Sequence, residues 1–199
     1  MNFEKIDITN VILNNDKVIL RPFLETDLND FYEYAKVSGV GEMAGWKHHS
    51  SIDESKMILD MFIKNKHTFA IVFKENNKVI GSIGIEDLSF YLFKEIRLFG
   101  NEIGYVLSKD YWGKGIMCNA VKLVINYLFN VASLDFVSIS HFVWNEQSRA
   151  VINKLGFLYV RDSLYETRLG TSELSSNYVL INENKISIEE FKTKLREIE

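Results

Sequence analysis

The heptapeptide Tyr111-Trp112-Gly113-Lys114-Gly115-Ile116-Met117 places two glycines and a lysine directly before an apolar periodic run. Ahead of it, Asn101 to Leu107 (NEIGYVL) alternates Ile103, Tyr105 and Leu107 on one face, as a strand does. Behind it, Val121, Val124, Ile125, Leu128 and Phe129 recur with a helical period. Strand, short glycine loop and helix together make an anion site. The first amides of a helix have no intrahelical partners, and the macrodipole adds partial positive charge there. Gly113 and Gly115 let a phosphate approach the backbone, and Lys114 adds a point charge. A plain strand-to-helix turn that needs glycine for its dihedrals satisfies the same G-x-G. Two familiar phosphate loops are excluded by spacing: no G-x-x-x-x-G-K-[ST] is present, and Cys118 stands where a dinucleotide loop needs its third glycine.

Other reactive side chains are few. His48 and His49 are adjacent, but four histidines and one cysteine without ligand spacing give no reason to expect a metal. Cys118 lies at the start of the phosphate helix, where a thiol pKa can fall, though a packed cysteine fits there equally.

The elements that position these residues read as follows. Val18 to Pro22 is a strand, and Thr26 caps a helix over Asp27 to Lys36 that buries Leu28, Phe31, Tyr32 and Ala35. A loop with Gly39, Gly41 and Gly45 carries Trp46 and the two histidines. Ser51-Ile52-Asp53-Glu54 is a capping box opening a second helix to Lys64. Thr68 to Phe73 and Lys78 to Glu86 form a hairpin about Glu75-Asn76-Asn77. An aromatic excursion over 87–95 precedes the strand at 101–107, the glycine loop and a helix to Asn130. Phe136 to Phe142 is a strand; Asn145 starts a helix ending at Gly156 in the left-handed position. Strands at Phe157 to Tyr165 and Asn177 to Ile181 are joined by the polar segment Gly170 to Ser176, and an amphipathic helix ends the chain. Early hairpins with later crossover helices define an α/β fold with a mixed sheet.

The 199 residues, 47% apolar and 25% charged, suit one globular domain with a sizeable core. No run is long enough for a membrane span, and the N-terminus lacks the basic and apolar regions of a secretory signal. With a single cysteine, a cytoplasmic location is expected. The net charge of −4 argues against nucleic acid as a partner.

Thirty residues beyond the glycine loop comes Asn145-Glu146-Gln147-Ser148, and the helix it opens ends in Lys154-Leu155-Gly156-Phe157. Together with the Tyr-Trp-Gly-Lys-Gly loop, Leu20-Arg21-Pro22 and Thr26-Asp27-Leu28, this order resembles the GNAT superfamily of acyl-CoA N-acyltransferases. Within it, the likeness is to the RimJ/RimL branch of ribosomal-protein N-terminal acetyltransferases. The resemblance runs from about 18 to 182 and implies a single N-acetyltransferase domain over 1–199, with a tail helix at about 186–199. It implies a GNAT-type fold: a mixed, mostly antiparallel central sheet flanked by helices.

The resemblance also assigns roles. Acetyl-CoA is the implied co-substrate, its diphosphate held by the amides of Trp112, Gly113, Lys114, Gly115, Ile116 and Met117. Trp112 stands where the family has Gln or Arg, and Met117 where it has Gly or Ala. The backbone of Tyr105, Val106 and Leu107 matches the strand that pairs with pantetheine, with an oxyanion donor near Val106. Asn145 matches an Asn that contacts pantetheine; a plain helix cap is the other reading, and the two are compatible. Ile152 replaces the tyrosine that many members use to protonate the thiolate, and Ser148 matches a serine usual in the branch, placed to hydrogen-bond the thiolate, with a solvated helix serine as the alternative. Glu102, in the E-I-G-Y strand, is the candidate base, with Glu86 and His141 in reserve. Alternation puts Glu102 on the face of Gly104 and Val106, opposite Ile103 and Tyr105. Trp46 is expected to wall the acceptor pocket.

The implied reaction is direct attack of a primary amine, from a protein N-terminus or a small molecule, on the thioester. A GNAT-like module that binds CoA without turnover is the alternative, and a nucleotide-binding protein a third. The oligomeric state is open, a homodimer being one option.

Overall fold

The computed structural model describes residues 6–198. Residues 1–5, part of the stretch read for a leader, and Glu199, the end of the tail-helix range, lie outside the described residues. One sheet of eight strands organises the fold: β1 (Leu13–Asn14), β2 (Val18–Pro22), β3 (Thr68–Phe73), β4 (Lys78–Glu86), β5 (Gly100–Leu107), β6 (Phe136–Phe142), β7 (Leu158–Glu166) and β8 (Ser172–Ile181). Their spatial order is β1-β2-β3-β4-β5-β6-β8-β7. Every neighbouring pair is antiparallel except β5 with β6.

Helices α1 (Leu28–Ala35), α2 (Ile52–Asn65), α3 (Tyr91–Glu95), α4 (Ile116–Asn130), α5 (Glu146–Lys154) and α6 (Ile188–Arg196) cover the sheet. Alternation along the strands sorts their apolar side chains into three clusters. Ile103 and Leu107 of β5 and Val137 and Ile139 of β6 meet Ala120, Val121, Val124 and Leu128 of α4 and Ile152 of α5. On the opposite face, Phe31, Tyr34, Ala35 and Leu59 of α1 and α2 pack on Ala70, Val72 and Val79. Farther along that face, Phe90, Phe93 and Phe191 pack on Phe136, Val179 and Ile181. The aromatic excursion is therefore a fold element, pinned beside the tail helix. Between these last two clusters a strip of sheet is left without an apolar cover.

Four local expectations need correction. Thr26 makes no cap. Asp27 does that work: its carboxylate accepts from the Leu24 amide at 2.8 Å and from both terminal nitrogens of Arg21 at 2.7 and 2.8 Å. A carboxylate outcompetes a hydroxyl here because it answers a guanidinium and an amide at once. Tyr34, not Tyr32, is the buried tyrosine of α1. The box at Ser51 is shifted by one residue: Ser51 accepts from the Glu54 amide, while Glu54 accepts from Ser50. The polar segment 172–176 is ladder rather than linker; Ser175 and Ser176 are buried and pair in register with β7 and β6, so their polarity is absorbed by neighbouring strands.

Asp27 is buried against a partly exposed Arg21, so D27N should lower stability by about 2 kcal/mol, read as the shift in a urea unfolding curve.

Candidate active site

β5 and β6 pair only from Gly100↔Phe136 to Glu102↔Ser138 and then diverge. β5 continues against β4 to Leu107, and β6 against β8 to Phe142. The wedge between them opens into a cleft of about 1010 Å³. One side-chain hydrogen bond spans the fork: Ser140 of β6 donates to Glu102 Oε1 of β5 at 2.7 Å.

At the far end of β5 the chain turns into α4. Gly113 and Gly115 both have φ of +72°, and a Cβ on either would meet nothing within 4 Å. The glycines are thus required by dihedral and leave open space above the loop. Gly115 is the N-cap of α4 with no side chain capping it, and the first turn carries no acidic residue. The amides of Ile116, Met117 and Cys118 are left as an anion-facing helix end on the cleft wall. Ile116 and Met117 send their side chains into the core, so the apolar residue at 117 serves packing. Trp112 is a brace: its indole N–H donates to the Leu107 carbonyl at 2.8 Å, tying the loop to the strand end. That bond already occupies one acceptor among the carbonyls expected to face pantetheine. Lys114 is not on the cleft wall; its ammonium lies 5.3 Å from the Tyr111 ring centre.

Asn145 caps α5, accepting from the Ser148 amide at 3.0 Å, and donates to the Met43 carbonyl at 3.1 Å. Both readings of this residue are compatible with its place, since it also lines the cleft. Ser148 is buried rather than solvated, and its hydroxyl lies 2.8 Å from that of Tyr105. Burial pushes the Tyr105 phenol up, only partly opposed by the Ser148 hydrogen bond, so it stays protonated. Ile152 is wholly buried and offers the cleft no acid.

Glu102 faces away from that pair, as alternation requires. Besides Ser140, its carboxylate accepts from the Ser89 amide at 2.9 Å and the Ser89 hydroxyl at 2.5 Å. Three donors fix its orientation. His141 is held at both nitrogens: Nδ1–H donates to the Phe142 carbonyl at 2.8 Å, leaving Nε2 to accept from Tyr178 at 3.2 Å. It is a packed residue.

Trp46 lines the cleft with its ring 5.1 Å from that of His49, whose own Nδ1 lies 2.7 Å from the Ser55 hydroxyl. Its loop is organised by Glu42, which accepts from the Gly39 amide at 2.7 Å and from His48 Nδ1, also at 2.7 Å.

Sequence reasoning missed Tyr34 of α1, and His67 and Thr68 at the start of β3. The Tyr34 hydroxyl, Thr68 Oγ1 and His67 Nδ1 are buried on the cleft wall without a hydrogen-bond partner in the protein. His67 Nδ1 lies 3.8 Å from Glu86 Oε1 and the Tyr34 phenol is directed at Ser82, which leaves Thr68 Oγ1 as the polar atom on this wall with no protein group to answer it, at a cost of about 1–3 kcal/mol. The available signal was in β4, where Ser82, Gly84 and Glu86 alternate on a single face. No group of three or more His, Cys, Asp or Glu arranged to hold a metal occurs among the described residues. Nor is any helix there long and apolar enough to cross a membrane.

The divergent strands and the helix-end anion site define an acyltransferase architecture, and the comparisons agree. Residues 17–158 match the family described as Acetyltransferase (GNAT) domain; the chain belongs to that family. The chain is 45% identical over 67 residues to "Putative ribosomal N-acetyltransferase YdaF" of Bacillus subtilis (strain 168). That match covers 32% of this chain and 37% of the relative. The solved ribosomal-protein-S5-alanine acetyltransferase from Vibrio fischeri superposes with a TM-score of 0.70 at 22% identity, covering 89% of this chain and 100% of the other. Microcin C7 self immunity acetyltransferase MccE, solved with acetyl-CoA and AMP, gives a TM-score of 0.67 at 19% identity, over 84% and 93% of the two chains. Two of these relatives are named for ribosomal or ribosomal-protein acetyl transfer, the first of them as "Putative".

Burial alone would raise the Glu42 carboxyl, but the His48 ring and the backbone amides outweigh it and hold it at about 2. Because the folded pKa is depressed, Glu42 stabilises the loop fully above the unfolded value of 4.5 and loses this as pH falls toward about 2. E42Q should therefore unfold at lower urea than wild type at pH 7, the gap narrowing between pH 4.5 and 2.

Proposed function

We propose that this GNAT-family protein transfers the acetyl group of acetyl-CoA to a primary amine by direct attack in a ternary complex. One observation carries the reading: the β5–β6 wedge ends on the uncapped amides of α4, with Glu102 on one face of β5 and the Tyr105–Ser148 pair on the other. The helix end and the loop from Trp112 to Met117 suit the CoA diphosphate, and the backbone of Tyr105 to Leu107 suits the pantetheine arm. MccE, a structural neighbour, was solved with acetyl-CoA, which supports that co-substrate here.

In this reading the two faces divide the work. An amine attacks only when neutral, and Glu102, oriented by Ser89 and Ser140, accepts its proton directly or through water. The nitrogen then bonds the thioester carbon, and the oxyanion is met by backbone donation near Val106. As the C–S bond breaks, the sulfur takes its electron pair and Ser148 stabilises the thiolate. Tyr105 orients the Ser148 hydroxyl toward the sulfur, and the thiolate leaves and takes its proton from water. Holding both reactants in one wedge supplies much of the rate by proximity. The acceptor is a primary amine, of a protein N-terminus or a small molecule.

E102Q should lower kcat by about a hundredfold or more while leaving acetyl-CoA affinity within about twofold, followed by thiol release and calorimetry. S148A should lower kcat about tenfold or more at an unchanged acetyl-CoA KM. Full activity in E102Q removes the base assignment. Acetyl-CoA binding without transfer to any amine would instead make the protein a CoA-binding module.

A further inference from the structure

The strip of sheet left uncovered between the two clusters on the Glu102 face has a defined chemical layout. Register places side chains there in three rows. Glu86 of β4 stands beside Glu102 of β5; the next row is Thr68, Gly84 and Gly104; the third, Ala70, Ser82 and Val106, is the edge at which the α1–α2 cluster begins. The middle row is a trough floor. A Cβ on Gly104 would meet nothing within 4 Å, while the Glu86 carboxylate folds back over Gly84. At the Gly104 end lie two carboxylates and the backbone expected to face the thioester. At the other end, under α1, Thr68 and Tyr34 are each 3% exposed, and neither hydroxyl has a hydrogen-bond partner in the protein. The Tyr34 phenol faces Ser82 across the trough.

Building on the acetyl-transfer reading, we propose that this trough is the acceptor subsite and that it selects a primary amine bearing a terminal hydroxyl several bonds from the reacting nitrogen. Two carboxylates attract the ammonium to the Gly104 end, where the open glycine gives it room, and the linker passes beside the Glu86 carboxylate that lies over Gly84. Two strand spacings, about 10 Å in all, separate the Gly104 and Thr68 backbones, so a short carbon linker joins the two ends. Thr68 and Tyr34 can each donate and accept, which matches a hydroxyl better than a fixed acceptor or a cation. An alkyl group at that end would leave both hydroxyls unpaired and is rejected for that reason. The remaining charged groups on the cleft wall are mixed, with Glu54 and Asp87 against Lys47, Lys154 and Arg168, and His67 Nδ1 lies 3.8 Å from Glu86 Oε1; the two carboxylates set the sign at the Gly104 end.

The test compares 5-aminopentan-1-ol with hexylamine, which has the same chain length and a methyl in place of the hydroxyl. Thiol release gives kcat/KM for each, and calorimetry in the presence of CoA gives binding. Wild type should prefer the amino alcohol by about tenfold or more, and in T68V and in Y34F that ratio should collapse toward one. Circular dichroism confirms that each variant is folded, and the ratio within one variant is insensitive to loss of active protein. Acetylation of both amines without preference, or a preference that survives in both folded variants, overturns the subsite and leaves the transfer reading standing. Selective binding of the amino alcohol without transfer of acetyl supports the subsite and overturns the transfer reading. Neither binding nor transfer of either amine overturns both.

Discussion

Everything in this molecule that bears on function depends on β5 and β6 ceasing to pair. Parallel neighbours normally exchange hydrogen bonds along their whole length, and unpaired strand backbone in a protein interior is costly. Here the exchange stops at Glu102 and Ser138, and both strands run on with their other edges still paired. The fold can afford the opening because β4 and β8 hold the outer edges in register. The inner edges are left with backbone donors and acceptors that an extended polar arm can satisfy. α4 starts where β5 ends, so the positive end of a 15-residue helix lies at the mouth of the same opening.

The sheet also separates the chemistry into two sides. α4 and α5 seal one face with aliphatic packing, and there the Tyr105–Ser148 pair is buried beside the place expected for the sulfur. The other face is sealed only at its two ends, by α1 with α2 and by α3 with α6. Because those clusters do not meet, the strip between them keeps polar side chains and glycines. A carboxylate on one side and a hydroxyl pair on the other suit the proposed reaction, in which nitrogen loses a proton and a thiolate departs. The aromatic segment before β5 supplies Ser89, which helps set the carboxylate of Glu102.

Much of this was legible in the sequence because it rests on period and on glycine. The alternation in NEIGYVL put Glu102 and Ile103 on opposite faces, and the structure has Ile103 in the core and Glu102 in the cleft. The glycine loop, both of whose glycines have positive φ, marked the start of α4. What escaped is what depends on tertiary partners. Asp27 took the cap expected of Thr26 because Arg21 lies across from it in space. The Ser172–Ser176 stretch looks like a loop by composition, yet pairing on both sides makes it strand. Tyr34 and Thr68 look like ordinary helix and strand residues; only their shared wall, with no partner for either hydroxyl, sets them apart.

The family and the fold neighbours establish the class, and the central claim beyond them is that the wedge and the helix end bind acetyl-CoA. Calorimetric titration of the purified protein with acetyl-CoA at neutral pH tests this most directly. The account predicts one molecule bound per chain, with a Kd on the order of micromolar. No heat of binding up to millimolar acetyl-CoA, with the protein shown to be folded, would contradict it.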